Sequence, residues 1–190
     1  VTDKKTLRAE LRQRRIAHEA AIPDAVRALL FHRPPAALLD LIPAGATISV
    51  YHPTRGEASP LGYARWFAER GHPIALPWFA GRGAEMDFRI WANPFDETTL
   101  VADPYGALQP PADSPVAAVG VAIVPLVGFS ERGMRIGQGG GYYDRFLARS
   151  PQVVPIGIAW DCQKVDDLPT EPHDMPLRAV ITPTCFYGPF

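Results

Sequence analysis

Apolar positions recur with a helical period at the start of the chain and gather into short unbroken runs further on. Asp3 precedes a stretch without breakers and can cap a helix running to about residue 20. Leu7 and Leu11, at i and i+4, form one docking stripe on it. Lys4, Arg8, Arg12 and Arg15 fall together on a neighbouring stripe. A second helical stretch covers 24–42 and is broken near Pro34-Pro35. Residues 47–51 read as a buried strand. Ser59-Pro60 then supplies an N-cap and N1 proline for a helix ending at Gly71, and 73–77 is the next strand. Strand, helix and strand in this order make a βαβ unit, which implies a parallel sheet with a right-handed crossover.

From 78 to 115 the pattern is least regular, with one short strand expected over 88–92. The continuous apolar run 119–124 has the character of a central strand, covered on both faces. Two more strands are expected at 153–159 and 179–182. No internal repeat or low-complexity tract is visible. The resulting fold class is α/β, a single domain with an open, mainly parallel sheet flanked by helices.

The run from Arg135 to Phe146 changes this picture, because Gly137, Gly139, Gly140 and Gly141 stand close together just before a potential helix over 142–149. Glycines let a ligand approach the main chain, and a helix start favours negative charge. Arg135 and Arg145 bracket the turn, and Asp144 offers hard oxygen to a cation such as Mg²⁺. The local reading is a phosphate cradle. Its plain alternative is a flexible surface turn, but linkers rarely carry a pair such as Tyr142-Tyr143. Two familiar motifs fail here. No Lys-Ser or Lys-Thr follows the glycines as a P-loop requires, and a dinucleotide fingerprint begun at Gly137 would need glycine at Tyr142. The cradle follows the strand 119–124, and ligands of open α/β sheets collect beyond the carboxyl ends of strands.

Composition bounds the function. The 190 residues suffice for one domain with a real core, and 47% hydrophobic with 21% charged residues is ordinary for a globular protein. A net charge of −1 gives no electrostatic support to a nucleic-acid partner. No apolar run is long enough for a membrane span, and no apolar segment of a secretory signal follows the basic start. Cys162 and Cys185 lack metal-ligand spacing and fit a reduced, cytoplasmic pair.

Val124-Pro-Leu-Val-Gly-Phe129 followed by Arg135-Ile-Gly-Gln-Gly-Gly-Gly-Tyr-Tyr-Asp-Arg-Phe146 closely resembles the signature of the 5-formyltetrahydrofolate cyclo-ligases, also called 5,10-methenyltetrahydrofolate synthetases. Further pieces agree in order: Lys4 to Arg8, Glu57, Leu76-Pro77, Met86-Asp87-Phe88, Gln109-Pro110, Gln163, Leu168-Pro169 and His173-Asp174. The resemblance spans nearly the whole chain. It implies a Rossmann-like fold of the NagB/RpiA/CoA-transferase kind, ATP as co-substrate, Mg²⁺ as cofactor, small-molecule partners and a monomer.

By the same resemblance, ATP is bound by Lys4, Lys5, Thr6, Leu7 and Arg8 together with Arg135, Ile136, Gly137, Gln138, Gly139, Gly140, Gly141, Tyr142 and Tyr143. Lys4 and Arg135 take catalytic roles. Folate is implied to meet Arg8, His52, Glu57, Gln138, Gly139, Gly140, Gly141 and Tyr142, although the residue type at His52 differs from the family's. Asp144 and Asp174 are implied to hold the Mg²⁺. Arg12, Arg14 and Arg15 are expected to be solvated, the commoner meaning of a basic helix row. Trp78, Phe88, Trp91 and Trp160 are expected in the core or pocket wall, where a pterin ring could stack on one of them.

The chain departs from the family pattern at Ser130-Glu131, at Ile136 and at Gly140, where some relatives carry lysine. Two other classes stay open: another nucleotide-dependent enzyme on this fold, and a catalytically silent relative that senses folate or nucleotide. A metal-dependent phosphohydrolase finds little support, since His18, His32, His52 and His72 form no spaced set with His173-Asp174.

Overall fold

The computed structural model describes residues 3–190. Its centre is a seven-stranded sheet in the order β11-β10-β9-β6-β1-β2-β3. In chain order, β1 is Thr47–Ser49, β2 Ile74–Trp78 and β3 Asp87–Ile90; β6 is Val119–Val124, β9 Val154–Ile158, β10 Ala179–Ile181 and β11 Phe186–Tyr187. The inner strands β10, β9, β6, β1 and β2 run parallel, while β3 and β11 close the two edges antiparallel. Two small hairpins stand apart, β4 (Val101–Ala102) with β5 (Leu108–Gln109) and β7 (Gly128–Phe129) with β8 (Arg135–Ile136).

The βαβ unit expected from the sequence is β1, α4 (Leu61–Ala68) and β2. Helix α4 begins one residue later than Ser59-Pro60 suggests, with Pro60 itself at the cap. Gly71, at φ +82°, takes the left-handed conformation that lets the chain turn out of the helix. The stretch 24–42 is shorter in helix than its pattern suggests. It holds only the single turns α2 (Asp24–Arg27) and α3 (Ala36–Leu39), because Pro34-Pro35 cannot carry a continuous ladder.

Strand β6 explains why the sheet is buried on both sides. Val121 and Ile123 join one core with Ile48, Phe67 and Ile156. Ala122 and Val124 face the other, with Phe88, Phe146 and Leu147. Alternate side chains serve opposite faces, so the run has no polar positions to interrupt it. Helix α4 covers the first face and α5 (Tyr142–Arg149) the second.

The remaining helix, α1 (Lys4–Ala21), caps the site end of the molecule. Asp3 is its N-cap and accepts from the backbone N–H groups of Lys5 and Thr6. Leu11 is buried with Val127, Ile136 and Leu168, with Leu7 packed alongside. After β1 the chain moves to β2 on one side, and later returns with β6 on the other. That reversal opens a crevice beyond the carboxyl ends of β1 and β6. Among the described residues no helix is long and apolar enough to cross a membrane.

Candidate functional site

A cavity of about 880 Å³ occupies this crevice. Its walls come from the loop after β1, the end of β2 and the segment after it, the β4–β5 turn, the segment after β6, the glycine turn, the first two turns of α1 and the segment 171–174. The glycine turn is held by its flanks. Hairpin β7–β8 delivers it, and α5 leaves from it with Gly141 as N-cap. Gly139 at φ +106° and Gly141 at φ +66° adopt a backbone that L side chains rarely reach, so these positions need glycine. Arg145 donates to Gly140 O at 3.0 Å and lies over the Tyr142 ring.

Helix α1 turns its cationic stripe toward this end of the molecule, with Arg8 and Arg12 on the glycine turn itself. Lys4 Nζ lies 2.6 Å from Glu171 Oε2 and 2.7 Å from Asp174 Oδ2. Arg8 Nε donates to Gly137 O at 3.0 Å. Arg12 donates to both the side-chain and backbone oxygens of Gln138 at 2.8 Å. Arg15, buried, donates to Leu126 O at 3.1 Å and lies 3.4 Å from Glu57 Oε1. The expected solvated row is therefore corrected at Arg12 and Arg15. A helix pressed edge-on against two loops places i, i+4, i+8 and i+11 on the same side. Arg14, more exposed, keeps one long contact, 3.5 Å to Cys162 O.

Helix rotation also sorts the implied ATP residues. Lys4 and Arg8 line the cavity, whereas Lys5, Thr6 and Leu7 do not. Lys5 is exposed, Thr6 Oγ1 donates to Asp3, and Leu7 packs on the small cluster under the helix. The whole block 135–144 lines the cavity, together with His52, Glu57 and Asp174.

Arg135 is buried at the base of the cavity, with NH2 2.8 Å from Asp144 Oδ1 and NH1 bonded to Met175 O. Burial lowers its pKa from the ordinary guanidinium value, and the neighbouring Asp144 charge opposes that shift. Asp144 Oδ1 also accepts from Met175 N at 3.1 Å. Burial works against ionisation of Asp174, but the hydrogen bonds from Lys4 and the Glu171 N–H hold its carboxyl below the usual range. Burial likewise disfavours charge on Lys4, and Asp174 and Glu171 outweigh it to raise its pKa. Glu57 accepts from Thr54 N at 2.9 Å and from Gln138 Nε2 at 3.0 Å. His52 Nε2 meets Glu97 Oε2 at 3.0 Å.

The carboxylates at this end bear on a cation site. Asp144 and Asp174 both line the cavity. Glu171, His173 and Asp174 also bring one donor atom each within 4.8 Å of one another. Carboxylate oxygens are the donor type that Mg²⁺ takes. Asp144 Oδ2 and Asp174 Oδ1 accept no hydrogen bond among the described residues, so each aspartate keeps a free oxygen for a hard cation.

Of the two places expected for the large aromatics, core or pocket wall, three of the four take the core. Phe88, Trp91 and Trp160 are core residues, and Trp78 stacks under Arg89; none of the four lines the cavity. Tyr51, Phe79, Tyr105, Tyr142 and Tyr143 line it instead. Phe79, Tyr105 and Tyr142 form a cluster with centroids 5.0–5.7 Å apart, closed by a bond between the two tyrosine hydroxyls. Tyr105 was hidden in the irregular stretch, where no period marks a residue as pocket or core. Burial raises the Tyr143 pKa well above its usual value, and its hydroxyl has no partner among the described residues.

Comparison with known proteins agrees with this geometry. Residues 1–183 match the model of the 5-formyltetrahydrofolate cyclo-ligase family. A 5-formyltetrahydrofolate cyclo-ligase of Escherichia coli K12 is 35% identical over 148 residues, covering 73% of this chain and 78% of that protein. One from Mycolicibacterium smegmatis is 29% identical over 183 residues, 93% of each chain. In structure, a 5,10-methenyltetrahydrofolate synthetase from Mycoplasma pneumoniae superposes with a TM-score of 0.70 over 95% of this chain and 98% of its own. At 24% sequence identity, that likeness speaks for the fold alone. A family match over residues 1–183, with relatives that cover 73% and 93% of the chain, leaves one assignment: the chain belongs to the 5-formyltetrahydrofolate cyclo-ligase family, ligases of one-carbon metabolism classed EC 6.3.3.2.

Proposed function

We propose that this chain converts 5-formyltetrahydrofolate to 5,10-methenyltetrahydrofolate with ATP and Mg²⁺, releasing ADP and phosphate. The observation that carries the proposal is the convergence of Lys4, Arg8, Glu57, Arg135, Asp144, Asp174 and the glycine turn on one cavity. The N5-formyl oxygen is a weak nucleophile, and hydroxide would be a poor leaving group from its carbon. Transfer of the γ-phosphoryl group to that oxygen, with departure of ADP, turns it into a phosphate ester. N10 then attacks the formyl carbon and loses its proton as phosphate leaves, closing the ring.

Phosphoryl transfer asks for alignment and charge neutralisation more than for a protein nucleophile. The glycine turn lets the triphosphate approach the backbone, with Lys4, Arg8 and Arg135 supplying positive charge. Asp144 and Asp174 would hold the Mg²⁺, which when bound neutralises phosphate charge. Glu57 and Gln138 offer oriented polar groups to the folate, and the aromatic wall offers a flat apolar surface. Tyr105 and Tyr142, held together by their hydroxyls, belong to that wall.

The test is an assay of purified protein with 5-formyltetrahydrofolate and Mg²⁺, with and without ATP, following methenyl absorbance and ADP. Product should form only with ATP, one ADP per turnover. Turnover without nucleotide, or none with any folate, would reject the reading. Tight folate or ATP binding without turnover would identify a silent relative.

A further inference from the structure

Arg12 and Arg15 are the members of the α1 stripe that do not line the cavity, and Arg15 is the most deeply buried of the four. Its side chain is 4% exposed and that of Glu57 7%. NH1 divides itself between Leu126 O and Glu57 Oε1, and Nε has no partner among the described residues. The backbone around Glu57 is seated on the same turn of α1. Gly56 sits so close to Ile16 that a Cβ there would lie 2.8 Å from Ile16 Cγ1. Trp160 Nε1 fixes the Gly56 carbonyl at 2.9 Å. Leu126 O is anchored in turn by Gln163 Nε2 at 2.8 Å.

A buried ion pair of this kind is a poor device for stability, since apolar side chains of similar volume do as well or better. A single contact of 3.4 Å, with Nε unmatched, is poorer still. What the pair does achieve is orientation. Thr54 N and Gln138 hold Glu57 from the loop and the glycine turn, and Arg15 holds it from behind.

We infer that Arg15 is a positioning residue that fixes the Glu57 carboxylate toward the hydrogen-bond donors of the folate without touching the substrate itself. The identity of that substrate rests on the cyclo-ligase reading. The consequence is selective. Losing Arg15 frees one carboxylate on the folate side, while Lys4, Arg8 and the glycine backbone remain in place for ATP.

The test compares wild type, Arg15→Met, Arg15→Lys, Glu57→Gln and the double variants of each Arg15 change with Glu57→Gln. KM is read for 5-formyltetrahydrofolate and for ATP, and folate binding without nucleotide is read by calorimetry. Arg15→Met should raise the folate KM roughly tenfold and leave the ATP KM within about twofold. Arg15→Lys should recover part of the loss. In the Glu57→Gln background, Arg15→Met should change the folate KM by less than about twofold, because the two residues act as one unit. Equal rises in both KM values, or an undiminished loss in that background, would overturn the inference and leave Arg15 a packing residue.

If Arg15→Met does not fold, Arg15→Lys decides. A folate-only loss of about threefold that vanishes beside Glu57→Gln supports the pair, and one that persists overturns it. The wild type separates this inference from the reading beneath it. Folate binding without turnover rejects the cyclo-ligase reading and still lets calorimetry judge the pair. Absence of folate binding overturns both.

Discussion

Helices α1 and α4 use the same backbone for opposite ends. Helix α4 is eight residues long and buries Tyr63, Ala64 and Phe67 in the main core against β1, β2 and β6. Helix α1 is eighteen residues long, yet only Leu11 and Arg15 are buried in it. Three of its charged side chains make contacts at the cavity end: Lys4 on Asp174, Arg8 on Gly137, Arg12 on Gln138. One helix stabilises the sheet, and the other shapes what the sheet presents. Substitutions on α4 should therefore appear in folding, and substitutions on α1 in binding.

The largest expected effect is on the scaffold side. Phe67, 1% exposed, packs edge-on against Trp66 and His72. Phe67→Ala should cost about 3–5 kcal/mol in denaturant unfolding, with both KM values of the folded protein unchanged. A shift in ATP affinity without loss of stability would break the division between the helices.

Asp144→Asn tests a residue that belongs to both sides. It removes a hard oxygen from the cavity and the carboxylate partner of the buried Arg135. Turnover should fall roughly a hundredfold or more, by loss of electrostatic stabilisation. Unfolding free energy should drop by about 1–3 kcal/mol, since a buried charge loses its partner. Full stability with lost Mg²⁺ dependence would make Asp144 a ligand alone, and intact turnover would make it structural.

Arg12→Ala should do less. Arg12 is half-buried and reaches the cavity only through Gln138, so ATP or folate KM should rise about threefold or less. A tenfold effect would place it beside Lys4 in importance. Smallest of all is the expected response to pH. The depressed Asp174 contributes stability above its unfolded pKa of about 3.9, lost as pH falls through its folded value. The raised Lys4 contributes fully below about pH 10.4, and that is lost as pH rises through its folded value. Between these limits the Lys4–Asp174 pair stays charged, so stability should show no step from it between about pH 5 and 9. A step there that disappears in Lys4→Ala would contradict the assignment.

The sequence made the scaffold legible where one residue pattern had one physical meaning. Strand β6 is apolar throughout because both its faces are covered, and Gly71 marks the end of α4 because the chain turns there with positive φ. The glycine turn was legible for the same reason: four glycines in so few positions have few uses. Strands of two residues, such as β4, β5 and β11, are too short to show a period. Arg15 reads as a surface charge because a buried arginine looks, along the chain, like an exposed one. Tyr105 and Phe79 became pocket residues only when the β4–β5 hairpin met the glycine turn, a contact between distant segments that no local pattern announces.

The central claim, that α1 is part of the ATP site through one face and not through charge in general, is tested most directly on two neighbours. Lys4 lines the cavity, and Lys5, turned about 100° around the helix, is exposed and does not. Calorimetric titration of Mg-ATP should show Lys4→Ala weakened roughly ten- to hundredfold, the value of one charge-assisted hydrogen bond of about 1.5–3 kcal/mol. Lys5→Ala should bind within about twofold of wild type, as an exposed charge contributes little. Equal losses from the two substitutions would contradict the account and reduce α1 to a diffuse basic face.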